Sequence, residues 1–427
     1  IGMNNQRLEL VADFYEYTMA NGYFNKDMED RIAYFDVFFR KVPDEGGYAI
    51  VAGLEQIINY IRNLSFDEED ISYLRKQNKF SEEFLNYLEN FRFTGDIWAI
   101  PEGTVVFPNE PLITVKAPII QAQLLETMLL LTTNHQSLIA TKTSRIVREA
   151  QGRPVMEFGA RRAHGINAAV EGARAAIIGG AVGTSCTLSA KKFNVPASGT
   201  MAHSWIQSFD SEYEAFKAYA ELYPDDCTFL IDTYNTIESG LPNAIKVFNE
   251  VLKPKGYRPK AVRLDSGDLA YLSKKVRKIL DEAGYEDCKI CATNSLDEYL
   301  IKSLIEQDAK IDLFGVGENL ITAKSEPVFG GVYKLVALEK DKKIVPKIKV
   351  SENTAKVTNP SFKKVYRFYD NETKKAIADV ITLADEIIDE REYMIFDPQN
   401  PWKKKVLKDY SIRLLQEKIF ENRKINI

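Results

Sequence analysis

The sequence is poor in the residues that mark several common chemistries. Only 4 cysteines and 3 histidines occur in 427 residues, too few for a disulfide framework. Cys288 and Cys291 form a C-x-x-C pair, but the surrounding Cys-Lys-Ile-Cys-Ala-Thr alternates like a strand and no second pair completes a zinc site. No metal ligand set is expected from it. No apolar run reaches the roughly 18 residues that would span a bilayer, and the longest weakly polar stretch, 175–188, carries three glycines. With 56 Lys and Arg against 61 Asp and Glu, net charge -5, the chain lacks the basic excess a nucleic-acid partner requires. There is no G-x-x-x-x-G-K-[ST] loop and no G-x-S-x-G elbow. The expected partner is therefore a charged small metabolite, with no nucleic acid and no membrane. The opening residues lack the charged and apolar regions of a secretory signal. Ile1-Gly2 ahead of Met3 reads as a remnant before the natural start, and the cytoplasm is the expected compartment.

What is present is enough apolar surface for a large core. Hydrophobic residues make up 45% and aromatics 11% of a chain too long for one typical domain. The first 130 residues mix signals: an amphipathic helix at about 8–23, a strand at 33–39, a helix near 48–64, then acidic helices and a β-rich stretch at 96–115. From about 131 to 323 the pattern changes to short apolar runs, each ending in polar or glycine-rich residues and each followed by a helical period. These runs begin at Val155, Phe229, Ala261, Lys289 and Ile311. Such alternation predicts parallel strands with crossover helices. The last hundred residues return to β-like stretches at 333–338 and 365–369, with a terminal helix expected at 410–422. The fold class expected is α/β: an irregular (β/α) barrel over 131–323, carrying the active site, with a second, discontinuous α+β domain built from 1–130 together with 324–427. Residues 339–427 carry no chemical motif and read as structural.

In that barrel, Asp232, Asp265, Asn294 and Gly315 each stand at the C-terminal end of a strand, the rim where barrel active sites are built. The strongest cue is Ala261-Val-Arg-Leu-Asp-Ser-Gly-Asp268, where the period of two points Arg263 and Asp265 the same way. Opposite charges so placed must pair or bind a ligand: either a structural salt bridge, or a carboxylate for ribose hydroxyls beside a guanidinium for acid oxygens. Phe314-Gly-Val-Gly-Glu-Asn319 brings two glycines to a strand end before a short helix, which suits a phosphate or simply the sterics of a tight turn. Phe158-Gly-Ala-Arg-Arg-Ala-His164 places a ring and arginines at the same rim, for a flat anion or as a core ring followed by surface arginines. Gly199-Thr-Met-Ala-His-Ser204 reads as a small-residue strand end carrying His203, which from composition alone is a satisfied core histidine.

Together and in this order, these segments resemble the nicotinate phosphoribosyltransferase family, of the type II phosphoribosyltransferases. Leu10-Val-Ala-Asp-Phe-Tyr-Glu-Tyr-Thr-Met-Ala20 is similar to that family's N-terminal motif, Phe38-Phe-Arg-Lys41 and Ala52-Gly-Leu54 extend the match, and the resemblance covers about 8–336. It implies an enzyme of NAD biosynthesis that joins nicotinate to phosphoribosyl pyrophosphate with Mg²⁺, using ATP as co-substrate through a phosphohistidine at His203. It implies a homodimer in which Tyr15 reaches into the partner's site opposite Phe158, sandwiching the pyridine ring. Arg161 and Arg263 would bind carboxylate and phosphate oxygens, Asp232 and Asp265 the ribose or its magnesium, Gly315 and Gly317 the 5'-phosphate, and Arg40 the pyrophosphate end. Ser185, read as helical, falls where related nicotinamide-specific enzymes resemble one another in carrying an aspartate. A nicotinamide or quinolinate phosphoribosyltransferase is the nearest alternative, and a catalytically silent metabolite-binding barrel the alternative of another class.

Overall fold

The computed structural model describes residues 7–421 and 424–425; the reading of Ile1 to Met3 lies outside these. The chain divides into two compact units, one made of residues up to Ser137 together with those from Val328 onward, the other of Leu138–Pro327. The division falls within the 24-residue helix Glu126–Glu149.

The first unit is built on a seven-stranded sheet in the order Lys343–Pro346, Val332–Lys340, Ile32–Phe38, Ile113–Pro118, Asp96–Ala99, Glu417–Glu421, Lys424–Ile425, antiparallel throughout. Ile32–Phe38 is buried at six successive positions, so it does not alternate apolar with polar as a one-faced strand would. Asp36 within it is tolerated because Lys363 Nζ lies 2.8 Å away and the Thr114 hydroxyl donates to it at 2.7 Å. The C-terminal part adds a three-stranded sheet, Ala376–Leu383, Lys363–Asp370, Tyr410–Leu414, and a hairpin of Glu392–Phe396 with Lys404–Lys408. Arg367 pairs bidentately with Asp379 at 2.7 and 2.6 Å and donates to the Val105 carbonyl at 2.6 Å, tying this three-stranded sheet to the N-terminal part of the same unit.

Three expectations need correction here. The terminal helix at 410–422 is instead two strands, with Asn422 outside the described residues. Between them Gln416 accepts from the Val365 N–H at 2.9 Å and donates to the Pro111 carbonyl at 3.1 Å, so strand partners far away in sequence override local propensity. The first helix begins at Phe14 rather than Leu8, because Asp13 is extended and its N–H is capped by Glu16 Oε1 at 3.2 Å. The expected helix at 48–64 is a two-residue strand, Ala49–Ile50, and a helix only from Leu54 to Asn63. Gly53 makes the turn between them with φ +107, and a Cβ there would lie 2.9 Å from the Thr132 carbonyl.

Glu16 is fully buried, and burial pushes its carboxyl up to about 7, against hydrogen bonds from Thr127 and the Asp13 N–H that favour the charge. The native state therefore holds more protons than the unfolded chain between pH 4.5 and 7, and its stability falls as pH rises through that window. Glu16→Gln is expected to flatten this fall by roughly 1–3 kcal/mol, read from urea midpoints at pH 5 and 8. Equal pH slopes in parent and variant would contradict the assignment.

The second unit holds six parallel strands in the order Gly183–Thr184, Val155–Glu157, Leu313–Val316, Lys289–Ala292, Ala261–Leu264, Thr228–Leu230. Pairing of the last strand in sequence with the first curls the sheet into a partial barrel, as the strand and helix alternation implied. The open edge at Gly183–Thr184 is extended by a bridge from Thr184 to Ala197. Between strands run helices such as Leu269–Glu282, whose Leu269, Ser273, Val276 and Leu280 share a buried face while Asp268 caps its first turn. Phe216, Phe229 and Phe248 stack in the core at 4.5 and 5.4 Å between centroids. Cys288 and Cys291 are free and buried, and burial pushes both thiols up to about 12, so neither is a thiolate at neutral pH. No helix among the described residues is long and apolar enough to cross a membrane.

Candidate active site

Four loops at the C-terminal ends of the barrel strands bring their side chains together. Arg263 stands in the strand Ala261–Leu264, and Asp265 follows its end. Their charged atoms lie 3.5 Å apart, with Arg263 largely buried. The guanidinium also donates to the Met201 carbonyl at 2.6 Å and to the Thr293 hydroxyl at 3.2 Å. Thr293 in turn donates to Asp265. On the neighbouring strand end, Asp232 Oδ2 accepts the Asp265 N–H at 3.0 Å and the Ser266 hydroxyl. Within this cluster two polar atoms, Asp232 Oδ1 and Arg263 Nε, are buried with no partner among the described residues. Such orphans at a strand-end rim point to a ligand that completes them.

His203 joins this cluster. It is the first residue of the helix His203–Gln207 rather than a strand end, because Ala202 is extended and breaks the chain into the helix there. Its Nδ1 lies 3.0 Å from the Thr233 hydroxyl, and its Nε2 lies 3.5 Å from Asp265 Oδ2. A carboxylate facing Nε2 favours the proton on that nitrogen. The Nδ1 lone pair is then left to accept from Thr233. With two-fifths of its side chain exposed, His203 is not a core histidine.

The aromatic platform meets the same cluster. Phe158 follows the strand Val155–Glu157, and its N–H donates to the Val316 carbonyl at 2.7 Å. A Cβ on Gly315 would lie 2.5 Å from the Phe158 ring and 2.8 Å from Thr293 Cγ2, so this glycine makes room for the ring beside the residue that holds Arg263 and Asp265. Gly317 starts the short helix Glu318–Ile321. Arg161 sits exposed on the turn Ala160–Arg162, and among the described residues no hydrogen bond or ion pair places it against the cluster. Ser185 is not helical. It directly follows the strand Gly183–Thr184 and donates its N–H to the Glu157 carbonyl at 2.9 Å, one strand over from Phe158. Asn294, expected at the rim, is exposed with φ +79, and Thr293 is the residue that reaches the cluster.

Sequence reasoning missed Thr233, Thr293 and the Met201 carbonyl. The two threonines stand next to Asp232 and Asn294 at strand ends that were recognised, which is the only signal that could have found them. The backbone carbonyl has none.

Two of the residues named in sequence belong to the other unit. Tyr15, 44% exposed on the helix Phe14–Phe24, donates to Glu126 Oε1 at 2.7 Å; burial and that carboxylate raise its phenol well above the usual range. Arg40 has its guanidinium 5.5 Å from the Phe38 ring, with Nε buried and unpaired among the described residues. Lys334 is pushed below the usual lysine range by burial; Glu126 opposes the shift while Lys349 and Arg40 push with it, so the three cations share a neighbourhood with this carboxylate.

A curled parallel half-barrel with an aromatic ring, a buried arginine and two aspartates at its strand ends has the fold of the type II phosphoribosyltransferases. The chain belongs to the nicotinate phosphoribosyltransferase family. Family models described as the nicotinate phosphoribosyltransferase N-terminal domain, family and C-terminal domain match residues 10–134, 154–382 and 362–426. The chain is 46% identical to the nicotinate phosphoribosyltransferase of Bacillus subtilis over 98% of its own length and 85% of that protein's. It is 30% identical to the human nicotinate phosphoribosyltransferase over 88% and 80%. The crystal structure of human nicotinic acid phosphoribosyltransferase superposes with a TM-score of 0.85 at 26% identity, covering 97% of this chain and 90% of that one. A nicotinate-nucleotide pyrophosphorylase from Pyrococcus furiosus shares the fold, with a TM-score of 0.75 at 24% identity over 100% and 92%.

Proposed function

We propose that this chain is a nicotinate phosphoribosyltransferase of NAD salvage, transferring phosphoribosyl from phosphoribosyl pyrophosphate to the ring nitrogen of nicotinate in an ATP-coupled reaction. The observation that carries this is the placement of the Phe158 ring against Gly315 and Thr293, which puts a stacking surface beside the His203, Asp265 and Arg263 cluster. In this reading the pyridine nitrogen attacks the anomeric carbon as the bond to the pyrophosphate oxygen breaks, through an oxocarbenium-like state. The protein supplies alignment and charge rather than a nucleophile.

Phe158 stacks on the ring, with Tyr15 of a second copy closing the other face in a homodimer. Arg161 takes the carboxylate, and Arg263 Nε is the buried donor free for an acid oxygen. Asp232 and Asp265 face the ribose, and Gly317 with the backbone around Gly315 faces the 5'-phosphate. Arg40 takes the pyrophosphate end, a role its neighbourhood of Lys334 and Lys349 favours. Among the described residues no group of three or more His, Cys, Asp and Glu forms an all-protein metal cage; Asp232 Oδ1 and Asp265 suit Mg²⁺ held largely by substrate phosphates. When bound, that ion neutralises charge on the departing pyrophosphate. His203 Nδ1 attacks the γ-phosphorus of ATP, ADP leaves, and hydrolysis of the phosphoramidate is coupled to product formation. The compartment is the cytoplasm.

Assay of nicotinate, nicotinamide and quinolinate side by side tests the substrate assignment: nicotinate is expected to be used by far the best, and turnover of nicotinamide without nicotinate would overturn it. Ser185→Asp sets a carboxylate against the substrate's own. It is expected to lower kcat/KM for nicotinate by about 100-fold while raising the relative use of nicotinamide. An unchanged preference would remove Ser185 from the ring site.

A further inference from the structure

Between the two segments assigned to the ring lies a carboxylate that the mechanism above does not use. Glu157 is fully buried at the end of the strand Val155–Glu157. One oxygen of its side chain accepts the Gly159 N–H, and the other accepts the Thr184 hydroxyl at 2.6 Å. Its backbone carbonyl accepts the Ser185 N–H at 2.9 Å, and the Thr184 hydroxyl accepts the Cys186 N–H at 3.0 Å. Phe158 is thus bracketed by Glu157 and the residue its carboxylate binds, and Ser185 by Thr184, which donates to that carboxylate, and Cys186, which donates to Thr184.

A buried carboxylate is costly unless its bonds are worth making. Burial pushes Glu157 above the usual carboxylate range, and the bonds from Thr184 and Gly159 oppose that shift. An apolar side chain would fill the space without that penalty, but it would leave the Gly159 N–H and the Thr184 hydroxyl without their acceptor. Tight fixation of the neighbours is what the carboxylate adds. Gly159 lies close against its neighbours: a Cβ there would lie 2.6 Å from Ile321 and 2.7 Å from the Gly317 carbonyl, so the turn carrying Phe158 packs directly on the segment 317–321. A ring held between two loops tolerates little displacement, since misplacement by about 1 Å can cost on the order of a hundredfold in rate.

We infer that Glu157 is a positioning residue for the aromatic subsite, holding the Phe158 turn and the Thr184 to Cys186 segment at a fixed spacing through the Gly159 N–H and the Thr184 hydroxyl. The inference rests on the assignment of Phe158 and Ser185 to the pyridine ring.

Steady-state kinetics of the full chain test it through Glu157→Gln, Thr184→Val and Thr184→Ser. Gln retains one acceptor and loses the other, Val removes the hydroxyl at constant shape, and Ser restores it. For Glu157→Gln and Thr184→Val the KM for nicotinate is expected to rise about tenfold with the KM for phosphoribosyl pyrophosphate nearly unchanged, and the melting temperature to fall by only a few degrees. Thr184→Ser is expected to stay within about twofold of the parent. Equal rises in both KM values, no rise in either, or a serine variant as impaired as the valine one would overturn the positioning role. Should Glu157→Gln not fold, the Thr184 pair decides alone. A parent enzyme that does not turn over nicotinate contradicts the proposed function instead, so the two failures are told apart.

Discussion

Arg263→Ala is expected to lower kcat/KM by about a thousandfold or more while leaving the protein folded. The guanidinium is bonded to the Met201 carbonyl at 2.6 Å and the Thr293 hydroxyl at 3.2 Å, and faces Asp265 at 3.5 Å. Its removal frees the segment that leads into His203, strips Asp265 of its counter-charge and takes away the buried Nε available to an acid oxygen. Hydrogen bonds from a charged group contribute roughly 1.5–3 kcal/mol each. Losing the one such bond offered to an acid oxygen, together with the placement of Asp265 and of the segment before His203, corresponds to about two to four orders of magnitude. Arg263→Lys keeps the charge but not the fork, so most of the loss should remain. Kinetics beside circular dichroism check this. A folded alanine variant within tenfold of the parent would mean that Arg263 is an internal salt bridge and nothing more.

His203→Ala is expected to abolish ATP hydrolysis yet retain slow turnover in the absence of ATP. The ring's two nitrogens are held separately, Nε2 toward Asp265 and Nδ1 against Thr233. The proposed phosphoryl acceptor is therefore lost without disturbing Phe158 or Arg263, neither of which His203 holds. ADP released per nicotinate mononucleotide formed should fall to background, and the ATP-free rate should stay within about tenfold of the parent's. A variant that still consumes ATP in step with product would take His203 out of the coupling.

Both predictions depend on residues whose roles were unequally visible in the sequence. Arg263 and Asp265 were legible because a strand's period of two puts alternate residues on one side, and they do meet. The strand ends near Asp232 and Asp265 could be read because each apolar run stops there abruptly, whereas Gly315, expected at a strand end, lies inside the strand Leu313–Val316. The strand Gly183–Thr184 was not, since two residues carry no periodicity, and Ser185 was read as helical in consequence. What holds Arg263 in place was hidden: its partner carbonyl is 62 residues away and any side chain would serve at that position. Gly315 pointed to a close approach of some kind, but that the Phe158 ring is what approaches it had no signal in the sequence. At the C-terminus, Glu417 to Glu421 were expected to be helical, but they pair with Asp96–Ala99, more than 300 residues earlier, and no local pattern reports such a partner.

The central claim is that this half-barrel joins nicotinate to phosphoribosyl pyrophosphate. Its most direct test is to incubate the purified protein with labelled nicotinate, phosphoribosyl pyrophosphate, Mg²⁺ and ATP, omitting each in turn and following label into the mononucleotide. Product is expected in the complete mixture, at a reduced rate without ATP, and none without phosphoribosyl pyrophosphate or Mg²⁺. A folded protein that forms no nicotinate mononucleotide in the complete mixture would contradict the account.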